Sequence, residues 1–346
     1  MRFTTPPASG CGSIPLHSTN CWQRCLNRRQ KDDAVLQHVT FHPPQCTPHA
    51  ALHTDDPLVV LRFAADALLA GMATALVTLT DIRGGSSRPR GAQMAVREDG
   101  QYCGVVSGGC VEAAAACEAL EVIHTGCYRD VVYGQGSPYM DIVLPCGGSI
   151  TLHIRPLYQA QPLLTVLNAL GRRQAAGLRW NADMPGVTAV TGAVKTGRDG
   201  QTFQVGYRPR ARLMIAGRAI APEVTAKIAQ AAGYEVFSCD GWRPAHAAGG
   251  IDDDTAVIVL YHDLHQELPF LDAALGASPF YIGALGSART HQRRSERLLQ
   301  LGYAPQAIAR IKAPIGLFAK ARDVSSLALS VLADVAAART AMLEGH

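Results

Sequence analysis

The chain has 346 residues, of which 48% are hydrophobic, 17% charged and 6% aromatic, so it can bury two cores of ordinary domain size. Net charge is +4, and residues 1–50 supply +3 of it, from five Lys/Arg against two Asp/Glu. The nearly neutral remainder lacks the basic face that nucleic-acid binding needs, and no stretch reads as a membrane span, because the most apolar one, residues 63–79, is interrupted by Asp66.

Residues 1–56 are rich in Pro, Thr, His and Cys, contain no Glu and show no periodicity. They read as a disordered N-terminal extension. Cys21, Cys25, His38 and His42 have zinc-finger spacing, but no aromatic residue lies between the pairs, and Asp32-Asp33 stands where a reading helix would begin. Chance spacing is the better reading. Residues 1–16 have no apolar signal core, and Arg28-Arg29 precedes polar residues, so a cytoplasmic protein with reduced thiols is expected. Ten cysteines in 346 residues are too sparse for a disulfide scaffold.

Regular patterning begins at residue 57. A helix is expected over 58–71, a strand over 74–81, a glycine-rich loop over 83–91, and strands over 93–97 and 101–106 joined at Asp99-Gly100. Ser107 should cap an alanine-rich helix over 110–124, with strands over 128–133 and 150–155 to follow. This makes residues 57–158 an α+β domain. A connecting segment, 159–210, holds a helix over 163–176 and strands over 186–194 and 202–207. From 211 onward strands (213–216, 235–239, 255–261, 280–283) alternate with helices (222–232, 265–275, 287–301, 305–311, 324–342). That alternation implies a parallel sheet covered on both faces, a Rossmann-like C-terminal domain over 211–346. The fold class is therefore α/β overall.

Several segments could carry chemistry. In the loop 83–91, glycines let backbone N–H groups approach a ligand, and Arg83, Arg88 and Arg90 match phosphate or carboxylate oxygens. The pattern alone leaves open a hairpin loop with solvated charges. In Ser107-Gly108-Gly109-Cys110-Val111-Glu112, the expected helix puts Cys110 in the first turn, where orphan donors and the dipole favour a thiolate. Cys103, Cys117, Cys127 and Cys239 lack such surroundings and read as packed thiols. Pro145-Cys146-Gly147-Gly148 places a second cysteine beside glycine, and two such thiols suit a soft metal or sulfur chemistry. Cys110 and Cys146 are 36 residues apart with no paired ligand beside either, which does not support zinc.

The first strand–helix turn of the second half keeps Gly217, but Ala219 and Pro222 replace the later glycines of a dinucleotide fingerprint; Asp240 lies where a ribose-binding acid would sit. Gly283, Gly286 and Ser287 open another helix and form a second possible anion site, or a plain strand–helix turn. The first of these turns motivates a rival reading, an NAD(P)-dependent oxidoreductase, and the damaged fingerprint counts against it.

Taken together, Gly84-Gly-Ser-Ser-Arg-Pro-Arg-Gly-Ala92, Ser107-Gly-Gly-Cys-Val-Glu112, Leu144-Pro-Cys-Gly-Gly148, Tyr281-Ile-Gly-Ala-Leu-Gly-Ser287 with Arg289-Thr290-His291, and Pro314-Ile-Gly-Leu317 resemble the XdhC/CoxI family of xanthine dehydrogenase accessory proteins. The resemblance implies a non-catalytic maturation factor that binds molybdenum cofactor (molybdopterin) transiently, protects it during sulfuration and delivers it to a molybdenum hydroxylase. It also implies a hydroxylase large subunit and a cysteine desulfurase as partners, and a homodimer. Ser86, Ser87, Arg88, Arg90, Ser107, Gly108, Gly109, Cys110, Glu112, Cys146, Gly147 and Gly148 are the expected cofactor-binding residues, with Cys110 nearest the metal. The chain departs from the family at Arg218, Ala219 and Ile220, where Gly217 is usually followed by Ala-Gly-His, and at Phe318-Ala-Lys320, where a glycine-bearing segment is usual.

Overall fold

A mostly apolar run from Thr74 to Leu79, buried on both faces, builds the centre of the first sheet. The computed structural model describes residues 47–135, 147–181, 184–238, 250–318 and 321–345. Cys21, Cys25, His38, His42, Cys146, Cys239 and Asp240 lie outside them. The described chain divides into two units. The first runs to Ala169 and resumes over Ala176–Tyr207, and the second takes Leu170–Ala175 and everything from Arg208.

In the first unit, six strands, β1 (His49–Leu52), β2 (Thr74–Arg83), β3 (Gln93–Arg97), β4 (Gln101–Gly104), β5 (Arg129–Gly134) and β6 (Ser149–Leu157), lie in the order β1-β4-β3-β2-β6-β5. Their pairings are antiparallel except β1 with β4, which is parallel. Helix α1 (Pro57–Leu69) packs on β2, β3 and β4, while α2 (Glu112–Thr125) packs on β2, β3 and β6. Ala75, Val77 and Leu79 share one core with Ala115, Ala116 and Ala119 of α2. Leu76 is buried as well and, by the two-residue period of a strand, points to the opposite face. Asp56 caps α1, accepting the Leu58 N–H at 2.9 Å, and Pro57 sits where a missing N–H costs nothing.

Two sequence expectations change here. Residues 49–52, placed in the N-terminal extension, form edge strand β1, because pairing with β4 rather than periodicity fixes them. Residues 176–207, placed in a connector, belong to the first unit. After α3 (Gln161–Gly171) come β7 (Ala176–Asn181), β8 (Thr188–Thr191), β9 (Gly197–Asp199) and β10 (Thr202–Tyr207), an antiparallel sheet in the order β8-β7-β10-β9. The helix expected over 163–176 stops early, and Arg173 takes a φ of 58°. Strand β7 carries Gly177, where a Cβ would meet a Val194 methyl at 2.4 Å. Tyr207 ties the two sheets together by donating its hydroxyl to Gln93 Oε1 at 2.6 Å.

In the second unit, β11 (Arg212–Gly217), β12 (Glu235–Ser238), β13 (Thr255–Leu260), β14 (Tyr281–Ala284) and β15 (Ile311–Lys312) form an all-parallel sheet in the order β12-β11-β13-β14-β15. Helices α4 (Ile220–Ala231) and α8 (Val324–Gly345) share a core with Leu213, Ile215 and Ile258. On the other face, α5 (Leu264–Leu275), α6 (Ala288–Gln300) and α7 (Pro305–Ile308) share one with Met214, Val257 and Val259. This is the expected Rossmann-like arrangement. Its strand order reverses between β11 and β13, so the crevice of such a fold opens beside the turns after those strands. The two-residue β15 has no sequence signal, and the helix expected over 305–311 ends at Ile308 to admit it. By length and composition α8 could cross a membrane, contrary to the expectation of no span, but Ala328, Val331, Leu332 and Val335 are buried in this unit.

Candidate functional site

Glycine-bearing segments of the first unit meet at the C-terminal end of β2. Ser86 Oγ donates to the Arg88 carbonyl at 2.9 Å and accepts the Arg88 N–H at 3.2 Å, folding the loop. A Cβ on Gly148 would stand 2.4 Å from the Arg83 carbonyl oxygen and 2.9 Å from that of Gly85, so only glycine lets these backbones touch. On another side of the loop, a Cβ on Gly108 would stand 3.4 Å from Ser87 Oγ. Gly84–Ser87, Gly147–Gly148 and Ser107–Gly109 are therefore brought together from distant parts of the sequence.

Glu112 organises the last of these segments. Its carboxylate, in a residue only 2% exposed, accepts the N–H groups of Val106 (3.0 Å), Ser107 (2.8 Å) and Val111 (3.2 Å) and the Ser107 hydroxyl (2.9 Å). Expected as a ligand residue, it is spent on its own loop. Ser107 Oγ also accepts the Cys110 N–H at 3.2 Å. Because Glu112 holds 106–111 as an irregular loop, α2 starts at Glu112 behind Val111, and Cys110 precedes the helix rather than lying in its first turn. Its side chain is exposed. Gly109 (φ +102°) and Gly147 (φ +67°) adopt backbone conformations suited to glycine, and a Cβ at either would face open space.

The two arginines expected to bind anions are held by carboxylates. Arg88 Nη1 donates to Asp55 Oδ2 at 3.0 Å, and its buried Nε has no partner among the described residues. Arg90 Nη2 donates to Asp81 Oδ1 at 2.9 Å. Asp55, Asp81 and Arg90 are substantially exposed, so these pairs contribute little and an incoming anion can displace them. Sequence reasoning missed Asp55 and Asp81; no spacing rule links them to the arginines. An exposed thiol, open glycine backbone and exchangeable guanidinium groups together suit an oxyanion-bearing ligand with a soft centre. Among the described residues no group of three or more His, Cys, Asp or Glu converges on a possible metal position.

Residues 67–134 match the model of the XdhC and CoxI family, and residues 213–335 match that of the XdhC Rossmann domain. The chain is 53% identical over 292 residues, 84% of its length and 92% of the relative's, to the molybdenum cofactor insertion chaperone PaoD of Escherichia coli strain K12. It belongs to the XdhC and CoxI family. A protein of Bacillus subtilis strain 168, named as a probable xanthine dehydrogenase subunit, is 23% identical over 78% of this chain and 94% of its own. A crystal structure of a xanthine dehydrogenase from Bacillus halodurans shares the fold, with a TM-score of 0.61 at 21% identity, covering 81% of this chain and 96% of that one.

Within this XdhC-type Rossmann domain, the glycines expected to approach a nucleotide are used for packing. A Cβ on Gly217 would meet Pro222 Cγ at 2.6 Å, and one on Gly283 would meet Ile315 Cδ1 at 2.6 Å. Gly286 backs onto Thr290, whose N–H goes to Ser287 Oγ at 3.3 Å. Ala219, at the second fingerprint position, takes φ 70° and ψ −158°. A methyl group stands there, at the position where a dinucleotide fingerprint has glycine for close backbone approach.

A second cluster in the first unit escapes sequence reasoning. Arg155, 2% exposed, donates to His153 Nε2 (3.2 Å), to the Asn181 carbonyl (3.1 Å) and to that of Gly186, lies over the Tyr128 and Trp180 rings, and floors a shallow cleft with Tyr158 and Met184. Burial pulls its pKa down to about 10. The only hint in sequence was the His153-x-Arg155 alternation on β6. Burial also pushes up the thiol of Cys103, as expected of a packed cysteine, but Cys127, expected to be one too, is disulfide-bonded.

Proposed function

We propose that this chain is an accessory factor that binds molybdenum cofactor as cargo and delivers it to a molybdenum hydroxylase. The observation that carries the reading is the meeting of the Gly84–Ser87 loop with Gly148 and Gly108, beside exposed Cys110, in a chain 53% identical to a cofactor insertion chaperone. Glycine N–H groups with Arg88 and Arg90 take the cargo's phosphate and pterin oxygens, and Cys110 lies nearest the metal, with Cys146 supporting it. The finer reading extends to delivery of the sulfurated form, with sulfur from a cysteine desulfurase, by a cytoplasmic protein acting as a homodimer on the hydroxylase large subunit. The misfit of Ala219 counts against NAD(P) as a cofactor.

Cys110→Ser tests the assignment. Serine nearly preserves volume, and the side chain is exposed, so the melting temperature should hold. Its hydroxyl does not ionise near neutral pH, whereas a thiol can meet a soft metal. The expected result is a folded protein that fails to activate a co-expressed molybdenum hydroxylase. Full activation would remove Cys110 from the site.

A further inference from the structure

The cleft floored by Arg155 lies apart from the glycine loops. On β6, Ser149 pairs with Arg83 beside those loops and Arg155 pairs with Leu76, so the strand separates the two places by about 20 Å. Arg155 is buried against the Tyr128 and Trp180 rings. It spends its Nε–H on His153 Nε2, one Nη1–H on the Gly186 carbonyl and one Nη2–H on that of Asn181. A guanidinium carries two N–H groups on each Nη nitrogen, so one on each is left unspent. Among the described residues no carboxylate touches Arg155; Asp130 reaches it only through His153, whose Nδ1 stands 2.6 Å from Asp130 Oδ1. Burying a cation without a counter-charge is costly, and neutral carbonyl and imidazole partners offset only part of that cost.

We infer that this cleft is a binding site for a small aromatic carboxylate. The carboxylate accepts the two unspent N–H groups of Arg155 and supplies the counter-charge that no described residue gives. Its ring lies against the walls, which are Tyr128, Pro156, Tyr158 and Pro185, with Met184 at the rim. The cleft measures about 320 Å³, including the space open to solvent, which suits one ring and its acid group rather than a large cofactor. Tyr158 is 53% exposed, yet its hydroxyl donates to the Gly126 carbonyl at 3.0 Å. That bond holds the ring in place as a wall before a ligand arrives. Among the described residues lining the cleft there is no acidic side chain to repel an anion.

Equilibrium dialysis of the full-length protein against radiolabelled benzoate tests the site. One benzoate per chain should bind saturably, with a dissociation constant of about 1 mM or below. Acetate, which lacks the ring, and benzamide, which lacks the charge, should each compete roughly tenfold less well. Met184→Lys should bind benzoate about fivefold more tightly and Met184→Glu about fivefold less, the effect of one charge added at a half-exposed rim, with Met184→Gln close to wild type. Arg155→Lys keeps the charge but loses the planar fork and should weaken binding roughly tenfold. If it does not fold, the Met184 series decides alone, since that side chain is 42% exposed. No saturable binding, acetate or benzamide competing as well as benzoate, or indifference to the charge at position 184 would overturn the proposal. So would loss of benzoate binding in Arg88→Ala/Arg90→Ala, which would put the anion on the glycine loops. None of these readouts depends on cofactor loading, so this site and the proposed function stand or fall separately.

Discussion

Glu112 satisfies a loop whose backbone would otherwise leave buried N–H groups bare. Replacing it by alanine strands the donors of Val106, Ser107 and Val111, at a cost of about 1–3 kcal/mol for each fully buried group. Glu112→Ala should therefore lower the urea midpoint and cofactor retention together, with Glu112→Gln, which keeps one acceptor oxygen, between it and wild type. Loss of retention at unchanged stability would mean that Glu112 meets the cargo directly. Ala219 is strained in the opposite sense. Its φ of 70° with ψ of −158° lies in a region left almost wholly to glycine, at a cost of about 1–3 kcal/mol. Ala219→Gly should stabilise the fold by about 1 kcal/mol after the added chain entropy of glycine is subtracted, read as a higher urea midpoint. A lower midpoint would show that the methyl group packs usefully.

Strands β5, β6 and β9 surround His153 with Asp130, Arg155 and Arg198. Burial is the largest cause lowering the pKa of His153, Arg155 and Arg198 add to it, and the hydrogen bond to Asp130 opposes them. Arg155 Nε donates to Nε2, which requires the neutral ring. The folded value thus lies below the ordinary one of about 6.5, and the unfolded chain binds more protons in between. Stability from this group is complete above that ordinary value and falls as pH drops below it. The urea midpoint should fall between about pH 7.5 and pH 5, and His153→Phe should flatten that slope; an unchanged slope would contradict the assignment. At this scale, the sequence made legible what periodicity encodes. The βαβ alternation, the Asp99-Gly100 turn and the three glycine-bearing loops were readable because each follows from local chemistry. Strand β1, the two-residue β15 and glycine-interrupted β7 were not, since pairing with distant strands fixes them. The start of α2 was misread because a buried carboxylate five residues on, rather than the Ser107 cap, shapes the loop.

For the whole molecule, edge strand β1 matters when the chain is shortened from its N-terminal side. A form starting at residue 57 lacks β1, the Asp56 cap and the Asp55 partner of Arg88. It should melt below one starting at residue 47, the cap alone contributing about 1 kcal/mol; equal melting temperatures would make β1 dispensable. The resemblance read from the motifs holds across both units, where the two family models match. The arginines' partners, and the use of Gly217 and Gly283 for packing, appear only in three dimensions.

On the proposed function, the glycine loops of the first unit hold molybdenum cofactor. The molybdenum and pterin content of the chain purified from cells that make the cofactor, compared with that of Arg88→Ala/Arg90→Ala, measures this occupancy. Wild type should carry molybdenum and pterin in equal amounts. The double variant should be folded and retain at least tenfold less, the equivalent of one charge-assisted contact of about 1.5–3 kcal/mol. Wild type without either component, or a variant that retains both as well as wild type, would contradict the claim.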